Sequence, residues 1–213
     1  MKCDKKIMQL YAVTDRSWLG KRTLEEQVED ALKGGVTCVQ LREKDLPEVE
    51  FLEEAKKIKA LCNAYGVPFF INDNVSVAIA CGADGVHVGQ SDMEAGDVRK
   101  LIGADKILGV SAQTVGQAKL AEARGADYLG VGAVFSTSTK LDACDVSYET
   151  LKQITEAVSI PVVAIGGICE ENIMQLSGSG IDGVAVVSAI FASEDICAAT
   201  GRLLTLSEKM TKQ

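Results

Sequence analysis

Four short segments of the chain repeat one pattern: "GVTCVQL" from Gly35, "GADGVHV" from Gly82, "GADYLGV" from Gly125 and "GIDGVAV" from Gly180. Each is a glycine, a small or branched apolar residue, a polar residue and then an apolar alternation. Each follows a stretch of helical character: "LEEQVEDALKG", "VSVAIACG", "VGQAKLAEARG" and "ENIMQLSGSG". Glycine tolerates the left-handed conformation that ends a helix, so the pattern reads as helix, glycine cap, strand. Between these segments lie four further apolar runs, "IMQLYAVTD", "VPFFIND", "KILGVSA" and "IPVVAIGG". They are rich in Val, Ile, Leu and aromatics, as buried parallel strands are. Two of them are entered through proline turns, at Pro68 and Pro161. The period is roughly 45–55 residues, the length of two βα units. Eight strands alternating with eight helices in 213 residues predict an α/β protein, a single (β/α)8 barrel domain over residues 1–213. A doubly wound open sheet is the rival, and it usually has fewer strands. A last helix, over about 194–209, carries an apolar stripe that includes Ile196, Leu203, Leu204 and Leu206 and would pack on the outside of the barrel.

Composition narrows the function classes. Hydrophobic residues make up 47% of the chain, enough for a sizeable core. The net charge is −8 and no basic block occurs, which argues against nucleic acid as a partner. No apolar run approaches the roughly 20 residues needed to cross a bilayer, so neither a membrane span nor a signal peptide is expected. The seven cysteines are odd in number and scattered, with no C-x-x-C pair. That argues against a zinc site or a disulfide framework and suits reduced thiols in a cytoplasmic protein. A homo-oligomer is compatible with all of this.

In (β/α)8 barrels the chemistry sits at the carboxyl ends of the strands. Here those ends carry Thr14-Asp15-Arg16; Gln40, Arg42 and Lys44; Asn72-Asp73-Asn74; Gln90 and Asp92; Ser111; the run "FSTSTK" with Thr137, Ser138, Thr139 and Lys140; Gly166-Gly167; and Val187-Ser188. Gln40, Arg42 and Lys44 alternate, which puts them on one side of an extended segment. Arg42, Lys44 and Lys140 are cations able to hold a polyphosphate. Asp73 and Asp92 suit Mg2+, a hard cation commonly shared between carboxylates and substrate phosphates. Gly166-Gly167 and Val187-Ser188 follow the seventh and eighth strands, where such barrels commonly bind phosphate through backbone N–H groups. Two anion sites emerge, one cationic and metal-assisted, the other neutral. Each feature also has a plainer reading. Lys140 alone is a surface charge, "QLREK" could open an exposed helix, and Asp73 and Asp92 could be helix N-caps. Ser111 alone is a core hydroxyl, and His87 reads as a packed barrel residue. Co-location on one face of one barrel favours the functional reading.

The ordered set "QLREKD", "FFINDN", "GVHVGQSD", "GVSA", "FSTSTK", "AIGGI" and "VSAI" resembles the thiamine phosphate synthase family along nearly the whole chain. The resemblance implies an Mg2+-dependent transferase on a (β/α)8 barrel, with two small-molecule substrates. It joins the hydroxymethylpyrimidine group of a diphosphate to a thiazole phosphate, releasing pyrophosphate. Carried over by position, it implies that Gln40, Arg42, Lys44, Asn72, Ser111 and Lys140 hold the pyrimidine diphosphate. Arg42, Lys44, Lys140 and Ser111 would act on the reaction itself. Asp73 and Asp92 would bind Mg2+, and Thr137, Ser138, Thr139, Gly167, Val187 and Ser188 would hold the thiazole phosphate. One departure is visible: Ala133, Ser136 and Ser138 stand where many members carry proline. The alternative is a thiazole-phosphate-binding tautomerase or regulator of the same barrel family, without diphosphate chemistry.

Overall fold

The computed structural model describes residues 3–136 and 146–212. Eight parallel strands close into a barrel in the order β1 to β8: Leu10–Val13, Cys38–Leu41, Phe69–Asn72, Gly85–Val88, Ile107–Ala112, Tyr128–Val131, Val162–Ile165 and Gly183–Val186. The outer layer holds α1 (Leu24–Gly34), α2 (Glu48–Tyr65), α3 (Val75–Ala80), α4 (Ala95–Ile102), α5 (Val115–Ala123) and α6 (Tyr148–Ala157). Two more helices follow β8: α7 (Ser188–Phe191) and α8 (Ile196–Met210). α1 starts from a complete capping box, with Thr23 and Glu26 each satisfying the other's backbone N–H. Gly35 then ends it with a φ of 98°.

The barrel expected from the repeat is present, but the even alternation of strand and helix is not. The stretch "ENIMQLSGSG" forms only a 3-10 turn, Ile173–Leu176, between β7 and β8. Gly178 and Gly180 follow it at φ 78° and 82°, so the chain turns back before a second helical turn can form. The short α7 was not foreseen, and α8 begins two residues later than expected, with Asp195 as its N-cap rather than a helical residue. The first apolar run also divides. Its Ile7 and Met8 belong to a 3-10 turn, Lys5–Met8, and only Leu10–Val13 is strand.

The polar residue of the repeat has one structural job at all four positions. The Thr37 hydroxyl accepts from Leu10 N–H at 2.8 Å. Asp84 accepts from Phe69 N–H at 2.8 Å, Asp127 from Leu108 N–H at 2.8 Å and Asp182 from Val162 N–H at 2.9 Å. Each of the four returns its own backbone N–H to the carbonyl of the residue it caps. The result is a two-bond clasp at the start of β1, β3, β5 and β7. The aspartates are also ion-paired: Asp84 with Lys59, Asp127 with Arg99 and Asp182 with Lys5.

Two apolar clusters result. The larger lies between the strands and the helices. The smaller fills the barrel and contains Met8, Tyr11, Val13, Cys38, Phe70, Ile107, Tyr128, Val163 and Ala185. Tyr11, Phe70 and Tyr128 stack at its centre with ring centroids 5.6–5.9 Å apart. Glycines make room for them: a Cβ at Gly109 would overlap the Tyr128 ring, and one at Gly85 would crowd the Phe70 ring. The six described cysteines are free thiols, and burial pushes Cys62 up to about 12.

Asp84→Ala removes the acceptor for the fully buried Phe69 N–H. An unpaired buried donor costs about 1–3 kcal/mol, and urea denaturation should show a loss of that size without a change in denaturant slope.

Candidate functional site

The carboxyl ends of β1 to β3 are tied together by ion pairs, and the carboxyl group of Asp92 after β4 joins them beside Asp73. β2 ends at Leu41, and Arg42 follows with its N–H donating to the Thr14 hydroxyl at 3.0 Å. The Arg42 guanidinium donates to Asp15 Oδ2 at 3.0 Å, and the other oxygen of Asp15 accepts from Ser17 N–H. Arg42 is therefore a held, half-buried cation at the end of a strand rather than the start of an exposed helix. Arg16 turns away from it: its guanidinium binds Glu43 and Glu54 at 2.6–2.9 Å. Lys44 reaches across to the next loop and donates to Asp73 Oδ2 at 2.6 Å.

Asp73 is the one non-glycine residue with positive φ among the described residues, at 61°. A side chain in that region is strained, and such residues concentrate where function demands an orientation. The N-cap of α3 is Asn74, whose side chain accepts from Val77 N–H, so Asp73 is not spent on capping. Its Oδ2 takes two donors, Lys44 Nζ and Asn72 Nδ2, the latter at 2.7 Å. Asp92 is not a cap either. α4 begins at Ala95, and Asp92 accepts from Gly89 N–H at 2.6 Å across a tight turn. The Asp73 and Asp92 carboxyl groups lie within hydrogen-bond reach of each other. Partial burial raises the Asp92 pKa above the usual range, and the neighbouring Asp73 raises it further. Among the described residues the two facing carboxylates bring no thiolate with them, and this oxygen donor pair fits a hard cation such as Mg2+.

The neighbouring strands supply neutral groups. Gln40, buried inside the barrel, donates to the Tyr11 hydroxyl at 2.8 Å. Ser111 sits on β5, with its Oγ 3.0 Å from His87 Nε2 and its carbonyl accepting from Gln90 Nε2 at 2.6 Å. His87 is a packed barrel residue, as read from its mid-strand position, and it is hydrogen-bonded on both ring nitrogens.

On the far side, Gly166 and Gly167 follow β7 with φ values of 101° and 64°. Phe135 N–H donates to the Gly166 carbonyl at 3.1 Å, and Asn172 Nδ2 to the Gly167 carbonyl at 2.8 Å. A Cβ on Gly167 would overlap the Ser136 carbonyl. The glycine pair is thus pressed against the segment that leads into the hydroxyl run. Val187 and Ser188 stand at the start of α7, where no side chain caps the first turn. Thr137, Ser138, Thr139 and Lys140 lie outside the described residues, as does Cys144.

Sequence reasoning missed the partners that hold these groups. Asp15 and Thr14 were visible at a strand end, and their service to Arg42 was not. Asn172 lies in a stretch of helical composition, which hides its bond to the Gly167 carbonyl. Tyr11 and Tyr128 carried no signal beyond hydrophobicity.

The thiamine monophosphate synthase family model matches residues 10–190. The chain belongs to this family. It is 55% identical to a thiamine-phosphate synthase of Ruminiclostridium cellulolyticum over 92% of this chain and 94% of that one. It is 54% identical to a thiamine-phosphate synthase of Clostridium tetani over 88% of this chain and 90% of that one. The solved thiamine phosphate pyrophosphorylase of Pyrococcus furiosus superposes with a TM-score of 0.90 at 40% identity, covering 97% of this chain and 98% of that one. Among the described residues no helix is long and apolar enough to cross a membrane.

The Glu43 carboxyl is tucked under Arg16. Burial, with Glu54 alongside, pushes it from 4.5 up to about 7. A carboxyl raised in the folded state binds its proton more tightly there than in the unfolded chain. Its stabilising effect is therefore complete below about 4.5 and is lost as pH climbs through about 7. Glu43→Gln, which cannot ionise, should gain stability relative to wild type across that window. Urea denaturation at a series of pH values checks this, and parallel profiles would refute it.

Proposed function

We propose that this protein is a thiamine phosphate synthase. It transfers the hydroxymethylpyrimidine group from its diphosphate to a thiazole phosphate, forming thiamine phosphate and pyrophosphate, in the cytoplasm. The observation that carries the reading to this chain's own chemistry is the cluster Lys44–Asp73–Asp92 beside the Asp15-held Arg42, at the carboxyl ends of adjacent strands. A tautomerase or regulator of the same barrel would have no use for a diphosphate-sized set of cations beside paired carboxylates.

In this reading Arg42, Lys44 and Lys140 bind the diphosphate together with the Ser111 hydroxyl, and Gln40 and Asn72 orient the pyrimidine end. Asp73 and Asp92 are the Mg2+ ligands, and Mg2+ when bound offsets the charge on the diphosphate. Gly167, Val187 and Ser188, with Thr137, Ser138 and Thr139, receive the thiazole phosphate. The C–O bond to pyrophosphate breaks first, and its electron pair leaves with the pyrophosphate. The pyrimidine-methyl cation left behind is captured by the thiazole ring nitrogen. That nitrogen has no proton to lose, so no general base is required. The charge that develops lies on the leaving group, where Arg42, Lys44 and Lys140 act electrostatically. The rest comes from holding the two substrates in line.

Purified protein given both substrates and Mg2+ should release pyrophosphate and thiamine phosphate in equal amounts. Thiazole phosphate binding without product would overturn the reading in favour of the non-catalytic relative. Lys140→Ala should lower kcat by about 100-fold or more, the usual size of a lost transition-state charge contact, with no change in Tm. Near-normal turnover would remove Lys140 from the mechanism. Asp92→Asn should raise the Mg2+ concentration needed for half-maximal rate by at least about tenfold, the loss that changing even a group behind a metal ligand brings, read from a Mg2+ titration of the rate.

A further inference from the structure

Five polar side chains form a continuous hydrogen-bond chain through the barrel. Gln40 Nε2 lies 2.8 Å from the Tyr11 hydroxyl, which lies 2.9 Å from the Tyr128 hydroxyl. The Tyr128 hydroxyl lies 2.9 Å from His87 Nδ1, and His87 Nε2 lies 3.0 Å from Ser111 Oγ. The chain crosses β2, β1, β6, β4 and β5, and both of its ends are residues assigned above to the pyrimidine diphosphate.

With the Gln40 amide nitrogen turned toward Tyr11, one direction satisfies every donor in the chain. An amide nitrogen can only donate, so the Tyr11 oxygen accepts from Gln40. Tyr11 is fully buried, and sending its proton to Tyr128 and the Tyr128 proton to His87 Nδ1 is the arrangement that pairs every donor within the chain. A ring nitrogen that accepts carries no proton, so the histidine proton sits on Nε2 and is donated to Ser111 Oγ. The Ser111 hydroxyl proton has no place left within the chain and is available to an acceptor outside it. Both tyrosines are fully buried, which raises their pKa well above the ordinary phenol value and keeps them as protonated donors.

We propose that His87 is a positioning residue, held by this one-way chain as the Nε2–H tautomer so that Ser111 presents its hydroxyl proton to the bound pyrimidine diphosphate. The inference rests on the reading of Gln40 and Ser111 as substrate contacts. Reversing every bond would turn Gln40 Oε1 onto Tyr11 and put the imidazole proton on Nδ1. Ser111 would then spend its proton on Nε2 and show only lone pairs to an anionic substrate. An anion requires donors, so the direction that begins at the Gln40 amide nitrogen is the one that suits binding. The buried chain also couples the two contacts, because turning the Gln40 amide would reverse the Ser111 hydroxyl on the opposite side of the barrel.

His87 is the only histidine in the chain, so protein carrying 15N-labelled histidine gives a single pair of ring signals. At neutral pH, Nε2 should be pyrrole-like and Nδ1 pyridine-like. The opposite tautomer, or an imidazolium, would overturn the proposal without recourse to any variant. Tyr128→Phe removes the proton donated to Nδ1 and should shift the ring toward a mixture of tautomers; an unchanged pair of signals would refute the relay. Activity supplies the second arm. The amide nitrogen of a glutamine can occupy the place of Nε2, whereas an asparagine is too short to reach Ser111. His87→Gln should keep kcat/KM within about fivefold of wild type and His87→Asn should lose about 10–100-fold, the range for a hydrogen bond to a charged group. Equal losses in both would mean that the ring only fills space. Wild-type protein with the expected tautomer and no thiamine phosphate product would instead refute the reading of the substrates.

Discussion

The clasp at the amino-terminal end of the barrel is the constraint on which the rest of the structure depends. Thr37, Asp84, Asp127 and Asp182 each exchange two hydrogen bonds with a residue at the start of the preceding odd-numbered strand. A short parallel strand has little of its own to fix its register, and a slip of one residue would exchange its inner and outer faces. Two bonds to one residue remove that freedom. Since each clasping residue sits just ahead of an even-numbered strand, the alternation that follows is also set. One residue on, Cys38 and Tyr128 enter the barrel; three residues on, Gln40, His87 and Ala185 do.

The two ends of the barrel differ in how their polar groups are satisfied. At the amino-terminal end they are consumed by backbone, and the 3-10 turn over Lys5–Met8 closes the opening with Met8. At the carboxyl end the charged groups pair across loops: Arg42 with Asp15, Lys44 with Asp73. The Lys44–Asp73 pair is half-exposed and worth little to stability, whereas Asp15 is buried beneath Arg42. The effect of both pairs is orientation. Each holds a cation or carboxylate in place through one bond while leaving further donors and acceptors open. This division, one end for stability and the other for chemistry, is the general logic of such barrels. It follows here from where a four-fold repeat puts its aspartates.

Much of this was legible from the residues. The repeat implied the number of strands, and strand ends located Arg42, Asp73, Asp92 and Ser111 because a period of two leaves few choices. Between β7 and β8 "ENIMQL" is helical in composition, but the glycines after it cut the segment short to a 3-10 turn. Asp73 reads equally well as a cap, since local sequence cannot say whether it or Asn74 turns toward the helix, and Asp92 taken alone reads slightly better as one. The roles of Tyr11, Tyr128 and His87 were hidden for a different reason. Each lies on a separate strand, and only closure of the sheet brings β1, β6 and β4 within hydrogen-bond range.

The sequence by itself determined the class of fold, the end of the barrel at which chemistry is possible, and the kinds of charge available there. These depend on local periodicity and on residue type, which need no partner. Only the tertiary structure decided which groups are free and which are engaged. Arg16 and Arg42 look alike in the chain, yet one is taken up by two glutamates away from the site and the other is held at its edge. Hydrogen bonds and ion pairs between strands depend on distances across a closed barrel, and a linear pattern does not contain those distances until the sheet has closed.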